Sequence, residues 1–248
     1  MNCRIAIIAA MERELKPLIK GWAVNVLSVA GKTRVCYEHD DTVVVFCGMG
    51  SQRAEEAARA VVDKYKPQIL ISAGVAGALI RSLKVGSLVL PNVIVDGATG
   101  IEYRCAMGGQ VIGGGVLVST FEIAGMKSKE ELVECFHALV VDMEAAGVVR
   151  VAKEKDLSFR CVKAVSDEYD FPLPPVGRFI GPDGNFQTAK FARWVAVRPQ
   201  YWLATMALGR NTSKAVRALC DWLKVNLHGN LQASKVVTLD GEFSNGRN

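Results

Sequence analysis

The chain has 248 residues, of which half are hydrophobic and 22% are charged, and it carries a formal net charge of +5. This composition excludes a disordered chain, and no apolar run reaches the roughly 18 residues that a membrane span requires. The length fits one large domain or two small ones.

The chain begins with a short apolar run that leads into acidic residues, MNCRIAIIAAMERELKPL. A secretory signal would carry a small-residue cleavage site at this point. The run therefore predicts a first strand, and we expect the protein to be cytoplasmic.

Seven runs rich in Val and Ile predict strands, and helical patterns fill several of the gaps. The predicted strands cover residues 3–10, 42–48, 68–73, 87–95, 114–119, 138–142 and 159–165. The predicted helices cover residues 51–65, 127–136, 144–155 and 200–224. Strands that alternate with helices, several of them apolar on both faces, are typical of an α/β domain whose central sheet is covered on both sides.

Gly, Ser, Asp and Glu gather where the predicted strands end. In chain order these ends read AAMERE, GMGS, AGVAGAL, STFE, DMEA and SDEYD. Each one alone fits ordinary turn and helix-cap chemistry. Ligands of α/β sheets, however, bind at the carboxyl ends of strands, so the ends together predict a ligand site.

The stretch VVDMEAAGVV carries two carboxylates, Asp142 and Glu144, where an apolar run turns into a helix. Burying an unpartnered carboxylate costs several kcal/mol, roughly. Backbone amides at the helix start, the helix dipole or a polar ligand would offset that cost. For Asp142, a helix cap and a contact between subunits are both open.

Cysteine and histidine are sparse and scattered. The seven cysteines lie singly, and the three histidines are far apart in the sequence. This pattern predicts neither a disulfide framework nor a zinc site nor a histidine-based triad. We expect no metal and no cofactor.

The composition changes after Asp170, where FPLPPVGRF brings three prolines together. Residues 171–202 hold seven of the 18 aromatic residues, and residues 171–219 hold seven basic side chains against one acidic residue. We expect residues 170–202 to be an inserted segment, followed by a closing helix at 203–225. The segment either packs on the core or forms a contact between subunits, or its basic and aromatic residues mark a surface for a membrane.

Four stretches taken in order resemble the purine nucleoside phosphorylase and nucleosidase superfamily, and its methylthioadenosine/S-adenosylhomocysteine nucleosidases in particular. They are AAMERELKPL, GMGSQRAEEAARAVVDKYKPQILISAGVAGAL, LKVGSLVLP and VVDMEAAGVVRVAKEKDLSFRCVKAVSDEYD. The resemblance implies one α/β domain over residues 1–248, with a central mixed sheet flanked by helices and a C-terminal aromatic and basic appendage. It implies cleavage of the N-glycosidic bond of an adenine nucleoside, without a cofactor, by a homodimer.

The resemblance also implies roles for individual residues. Glu144 binds the ribose 2′ and 3′ hydroxyls, beside Met143, which lines the sugar. Asp167 protonates or hydrogen-bonds N7 of the purine, and Glu14 orients or deprotonates the attacking water. Three further residues bind the substrate, namely Phe121, which stacks on the base from a stretch shorter than the family's usual version, Ser166 and Gly74.

The chemistry gives independent reasons for these acids. Cleavage passes through an oxocarbenium-like sugar, so one acid neutralises the leaving base while another guides a nucleophile to the opposite face. Asp167 must hold a proton at neutral pH to act as the acid, and burial after the apolar strand CVKAV would favour its protonated form.

The sequence departs from the family in three places. AAMERE stands where phosphorolytic relatives carry a glycine-rich, arginine-containing phosphate loop, and its carboxylate favours water, although Arg53, Arg81 or Arg104 would supply a phosphate site by another route. Val75 replaces a hydroxyl or small polar residue. The inserted segment resembles the arrangement of hopanoid-associated phosphorylases, which act on adenosylhopane, so the 5′ substituent of the substrate stays open.

Three classes of function are compatible with the composition and the motifs: an enzyme, a nucleoside-binding module without catalysis, and a nucleic-acid-binding protein. Glu14, Glu144 and Asp167 together favour the enzyme, because a binding module leaves the acid at 167 without a role. The basic residues alternate with aromatic residues and prolines in one appendage, and the core has no recognition helix. We therefore expect a small adenine nucleoside as partner and no nucleic acid.

Overall fold

The computed structural model describes residues 3–105, 114–227 and 237–238. It shows a mixed sheet with helices packed on both faces, so the predicted α/β class is confirmed. Within these ranges no helix combines the length and the apolar character needed to cross a membrane.

The elements in chain order are β1 (Ile5–Ala9), α1 (Glu12–Leu15), β2 (Ala23–Val29), β3 (Lys32–His39), β4 (Thr42–Phe46), α2 (Ser51–Tyr65), β5 (Ile69–Ala78), β6 (Leu88–Val89), β7 (Val93–Asp96), β8 (Glu102–Arg104), β9 (Val116–Ser119), α3 (Met126–Phe136), β10 (Ala138–Asp142), α4 (Ala145–Glu154), β11 (Ser158–Asp167), α5 (Thr188–Ala196), α6 (Trp202–Leu227) and β12 (Val237–Thr238).

Strand β5 is the centre of the sheet. It pairs in parallel with β1 and with β11, and its last residues pair antiparallel with β10. Beyond β1 lie β4, β3 and β2, and beyond β10 lie β9, β7, β8 and β12. The carboxyl ends of β1, β5 and β11 therefore lie at one edge of the sheet. The last residues of β10 pair with the last residues of β5, so the end of β10 lies near this edge as well.

Two hydrophobic cores cover the faces of the sheet. On one face α2 and α4 pack on the strands. These two helices approach so closely that a Cβ built on Gly147 would lie 2.0 Å from the carbonyl oxygen of Ser51. On the other face α6 buries Ala215, Leu219 and Leu223. All ten residues of β11 are buried, which explains its nearly continuous apolar sequence.

Most predicted elements are present, and helix α2 has the predicted bounds. The predicted strand over 87–95 is two strands, β6 and β7, because Pro91 between them has no N–H to donate to a strand ladder. The sequence patterns do not predict the hairpin β2–β3, whose residues are mostly exposed or half-buried, or helix α5.

The appendage, residues 171–202, contains two short 3₁₀ turns and α5. Its rings pack on one another: Phe179 contacts Phe191 and Trp194, and Trp194 contacts Tyr201. The guanidinium of Arg198 lies 4.4 Å from the centroid of the Trp194 ring. These contacts support the interpretation that the aromatic residues pack as a small core.

Candidate active site

A cavity of about 1330 Å³ opens at the edge where the strands end. Five of the predicted site residues line it, namely Glu14, Met143, Glu144, Ser166 and Asp167. Val75, the residue that departs from the family pattern, also lines it. The structure thus brings the three predicted acids to one space, although they come from three separate parts of the chain.

Glu14 lies in the short helix that follows β1, and its side chain is buried. The backbone N–H of Met11 donates to its Oε2 at 3.5 Å. Gly74 lies directly beneath it, since a Cβ built there would be 3.2 Å from the same oxygen. Burial raises the pKa of Glu14 to about 7, against the opposing attraction of Lys163. Gly74 therefore makes room for the carboxylate and does not itself line the cavity.

Glu144 immediately precedes α4 and is held by two backbone amides. The N–H of Gly50 donates to its Oε1 at 3.0 Å, and the N–H of Met143 donates to its Oε2 at 3.3 Å. Burial and the neighbouring Asp142 raise the pKa of Glu144 to about 8, while Lys163 opposes the shift. Its carboxyl group thus carries a proton more readily than an exposed glutamate does.

Lys163 of β11 is a buried cation that the sequence patterns do not single out. Its Nζ lies 2.7 Å from Oδ2 of Asp142 and donates to Oγ of Ser72 at 3.1 Å. Burial alone would lower the pKa of Lys163, but Asp142 and other acidic neighbours raise it above its ordinary value. The position of Lys163 inside the apolar run CVKAV is the one feature of the sequence that indicates a buried lysine in need of an acidic partner.

Asp142 also accepts hydrogen bonds at the start of α4. The N–H of Ala145 donates to its Oδ2 at 3.0 Å, and Oγ of Ser119 donates to its Oδ1 at 2.5 Å. Asp142 thus binds the first amide of α4, although the N-cap position itself is Glu144, and the contact between subunits stays a prediction.

Asp167 ends β11 at a β-bulge. The pairing with β5 shifts register between Val165 and Asp167, so Ser166 is the extra residue. Oγ of Ser166 lies 2.9 Å from Oδ1 of Asp167, and a Cβ built on Gly77 would lie 3.0 Å from Oδ2. Bulges re-aim side chains near functional sites, and this one directs Asp167 to the cavity.

Lys129 of α3 also lines the cavity and contacts Asp167. Its side chain is 3% exposed, and its Nζ lies 3.0 Å from Oδ2 of Asp167. A buried ammonium group therefore adjoins the Asp167 carboxylate, and the sequence patterns do not predict this contact. Lys129 lies in the polar stretch GMKSKEEL, whose sequence pattern does not predict that any of its lysines is buried.

Phe121 does not face the cavity. Its side chain is 78% exposed, whereas its neighbours Thr120, Glu122 and Ile123 line the space. Oγ1 of Thr120 donates to the carbonyl oxygen of Glu122 at 2.7 Å, and the resulting turn leaves Phe121 outside. The described contacts give the stacking role no support.

The appendage forms one wall of the cavity through apolar residues, among them Leu173, Val176, Phe186, Phe191 and Val195. Its loop at residues 181–184 also holds the turn at residues 48–50. The N–H of Met49 donates to the carbonyl oxygen of Gly184 at 2.9 Å, and Arg53 donates to the carbonyl oxygen of Pro182. The N–H of Gly50 in this turn donates to Glu144, so the appendage helps to position the Glu144 carboxylate.

The three arginines considered for phosphate do not occur among the described residues that line the cavity. Arg53 donates to the carbonyl oxygens of Met49 and Pro182. Arg81 pairs with Asp170 at 2.8 Å. Arg104 lies in β8, in register with Val93 of β7.

Sequence comparison finds that residues 4–109 match the phosphorylase superfamily. The 5′-methylthioadenosine/S-adenosylhomocysteine nucleosidase of Listeria welshimeri is 26% identical over 207 residues, which cover 66% of this chain and 85% of that protein. The enzyme of the same name from Bacillus subtilis is 25% identical over 198 residues, with the same coverage. The resemblance drawn from the sequence motifs is confirmed.

Solved structures share the fold. The 5′-methylthioadenosine/S-adenosylhomocysteine nucleosidase of Helicobacter pylori, complexed with butyl-thio-DADMe-Immucillin-A, gives a TM-score of 0.66 at 18% identity over 90% of this chain and 97% of that chain. The futalosine hydrolase of the same organism gives a TM-score of 0.67 at 18% identity, with the same coverage.

Proposed function

Because the chain matches the phosphorylase superfamily in sequence and superfamily nucleosidases in fold, we propose that it is an enzyme that cleaves the N-glycosidic bond of an adenine nucleoside. One observation carries this proposal: Glu14, Glu144 and Asp167 converge on one cavity. A binding module needs groups that recognise a nucleoside, but it has no use for acids at both the sugar and the base. Cleavage uses an acid on each side of the bond.

At the sugar end, Glu144 accepts hydrogen bonds from the ribose hydroxyls, with Met143 against the ring. Glu14 takes the proton of the attacking water. Its pKa of about 7 suits that role, because a general base works best when its pKa lies near the working pH. At the other end, Asp167 serves the leaving base, with Ser166 as its hydrogen-bonding partner.

Water is the proposed nucleophile. An acid, Glu14, lines the cavity where a phosphate site would require cations. Arg53 and Arg81 have other contacts, and Arg104 is not among the described residues that line the cavity. Phosphate stays the alternative, since Arg13 and Arg217 also line the cavity. The sugar product decides between them, because hydrolysis releases a free sugar and phosphorolysis releases a sugar 1-phosphate.

For the 5′ substituent, the names of the relatives favour methylthioadenosine and S-adenosylhomocysteine. The cavity supports a second candidate, a nucleoside with a large apolar 5′ group such as adenosylhopane. Its volume of about 1330 Å³ exceeds the roughly 300–1,000 Å³ that is usual for ligand pockets. The excess space lies against apolar residues of the appendage, including Val176, Phe191 and Val195.

A membrane contact belongs to this second candidate. Val197, Trp202, Leu203 and Met206 are exposed where α5 meets α6, and Arg193 and Arg210 lie exposed nearby in the same helices. Apolar side chains beside basic ones suit an anionic membrane surface. Trp194 and Arg198 pack inside the appendage, so the four exposed residues, which we name the apolar corner, are the ones to alter.

A homodimer is also proposed. Val24, Val26 and Val35 of the hairpin β2–β3 are large apolar side chains left exposed, and a second copy of the chain would cover them. Light scattering of the purified protein gives the mass in solution.

The experiment that tests the reaction incubates the protein with methylthioadenosine, S-adenosylhomocysteine, adenosine and inosine, with and without phosphate. We expect free adenine and a free sugar, independent of phosphate. Ribose 1-phosphate would mean phosphorolysis. Tight binding without any release of base would mean a binding module.

A series of 5′-alkylthioadenosines of increasing chain length tests the substituent. If the apolar part of the cavity is used, kcat/KM increases with chain length. Ala192→Trp fills this space, because Ala192 lines the cavity, and it should remove the preference for long chains while methylthioadenosine is still cleaved. Ala189→Trp is the matched control on an exposed position of the same helix.

A further inference from the structure

Lys129 has no role in the reaction proposed above, although it is buried in the wall of the cavity. Its ammonium group has three acceptors within reach. They are Oδ2 of Asp167 at 3.0 Å and the carbonyl oxygens of Glu168 at 3.2 Å and Tyr169 at 3.5 Å. An ammonium group has three N–H donors, so the charged form of Lys129 is fully satisfied at this position.

The surrounding charges leave Asp167 as the partner of Lys129. The carboxylate of Glu168 pairs instead with Lys84 at 3.1 Å. The acids next to Lys129 in α3, Glu130 and Glu131, are both exposed, and the cavity wall adds Glu122 at the surface. Lys129 and Asp167 thus form a buried pair with one cation and one carboxylate.

We propose that Lys129 and Asp167 act as one proton-donating unit for the leaving base. An ion-paired carboxylate has no proton of its own, so the proton comes from the ammonium group of Lys129. It moves to Oδ2 of Asp167 and then to a ring nitrogen of the base as the C1′–N9 bond breaks. The electron pair of that bond stays on the base. Glu14 takes the proton that the attacking water loses and passes it to the solvent, and the neutral Lys129 regains a proton from the solvent.

This inference rests on the proposed function for the identity of the reaction, but the geometry of the pair does not depend on it. A buried ion pair also occurs where its role is only structural. Here three features direct the pair at the ligand space: both side chains line the cavity, the bulge at Ser166 turns Asp167 towards it, and Gly77 leaves room for Oδ2.

The test compares Lys129→Met with Lys129→Arg, which keeps the charge. At pH 8 we expect Lys129→Met to lower kcat about 100-fold or more with KM changed less than threefold. Its kcat should recover as the pH falls towards 5.5, because Asp167 then takes its proton from the solvent. Lys129→Arg keeps the charge, but its guanidinium cannot release a proton, so at pH 8 its kcat should fall about as far as that of Lys129→Met. Wild-type turnover in Lys129→Arg would mean that the cation acts by its charge alone and would overturn the proton transfer. Lys127→Met, on an exposed position of the same helix, is the matched control.

A purely structural lysine predicts a different result, namely a loss of kcat by the same factor at every pH. That result, or an unchanged kcat in Lys129→Met, overturns the proposal. If Lys129→Met does not fold, Lys129→Gln takes its place, since its amide can still donate to the carbonyl oxygens of Glu168 and Tyr169.

Adenine binding separates this proposal from the proposed function. The affinity of Lys129→Met for adenine should fall as the pH rises from 5.5 to 8.5. The affinities of the wild type and of Lys129→Arg should stay constant over this pH range. A wild type that binds adenine but cleaves no nucleoside contradicts the proposed function alone. Equal pH dependence in the wild type and Lys129→Met contradicts the paired unit, and so does a wild type that binds no adenine.

Discussion

The two ends of the cavity are built on the same pair of residue types but carry different charge. At the sugar end, Lys163 lies 2.7 Å from Asp142 and is attracted by Glu14 and Glu144 as well. At the base end, Lys129 pairs with Asp167 alone, at 3.0 Å. Surplus acid at the sugar end contributes to the raised pKa of Glu144. A buried lysine beside an aspartate therefore does not define a function by itself, since the two pairs differ in the number of acids that surround them.

Removing the cation of the sugar end should have the largest effect. Lys163→Met leaves Asp142, Glu14 and Glu144 buried without their common partner. We expect the free energy of unfolding to fall by about 3–5 kcal/mol, measured by denaturant titration. Lys153→Met, on an exposed position of α4, is the control. A loss below about 1 kcal/mol, within the usual range for a surface ion pair, would contradict the central place of Lys163.

At the base end, Asp167→Asn should lower turnover at least about 100-fold while nucleoside binding persists, because an amide cannot deliver a proton to the purine. Single-turnover kinetics and ligand titration separate the two effects. The control is Asp170→Asn, which alters an exposed acid paired with Arg81. Near-normal turnover in a folded Asp167→Asn would remove the acid role.

Glu144→Gln tests recognition of the sugar. The comparison is made at pH 9, above the Glu144 pKa of about 8, where the ionised carboxylate has two acceptor oxygens and the amide has one. A hydrogen bond to a charged group contributes about 1.5–3 kcal/mol. The preference in kcat/KM for ribonucleosides over 2′-deoxynucleosides should therefore decrease about tenfold. An unchanged preference would mean that Glu144 does not bind the 2′ hydroxyl.

The apolar corner offers a test away from both ends. Trp202→Ser with Leu203→Ser should weaken binding to anionic vesicles about fivefold to tenfold, because burial of large apolar side chains contributes about 1.5–3 kcal/mol each when complete. Cleavage of methylthioadenosine should be unchanged. Val225→Ser, on an equally exposed position near the other end of α6, should leave vesicle binding intact. No association of the wild type with vesicles at low salt would end the membrane proposal.

The last test uses Glu14→Gln and concerns stability against pH. The pKa of Glu14 is about 7 in the folded chain and 4.5 as an ordinary glutamate. The unfolded chain therefore loses this proton first, and wild-type stability falls by about 3 kcal/mol as the pH rises from about 4.5 to 7. Glu14→Gln should melt about 6–12 °C above the wild type at pH 8, and the difference should vanish below pH 4.5. Parallel melting curves across this range would contradict the raised pKa.

The sequence predicts the fold well where hydrophobic periodicity is strong. The strands β1, β10 and β11 and the helices α2 and α4 follow from it because their buried faces are apolar. Helix α5 is not predicted, since its apolar residues contact the aromatic rings of the appendage, and the sequence pattern does not identify that local core.

The site is predictable to the same extent. Glu14, Glu144 and Asp167 follow from the resemblance to the superfamily, since each strand end alone fits ordinary turn chemistry, and the structure brings all three to one cavity. Their partners do not follow from it, because Lys129 lies in a polar helix and becomes buried only when α3 packs beside Asp167. The stacking role of Phe121 stays a prediction without support, since Phe121 is 78% exposed and is not among the described residues that line the cavity.

The hydrogen bonds between residues 181–184 and the turn at 48–50 limit how the substrate specificity could be engineered. The carbonyl oxygen of Gly184 engages the N–H of Met49, one residue before the amide that binds Glu144. The appendage is therefore not a detachable module that could be exchanged to change the substrate. An appendage grafted from another protein has to reproduce this loop. Otherwise the turn at 48–50 will shift, and Glu144, the proposed sugar-binding carboxylate, will be misaligned.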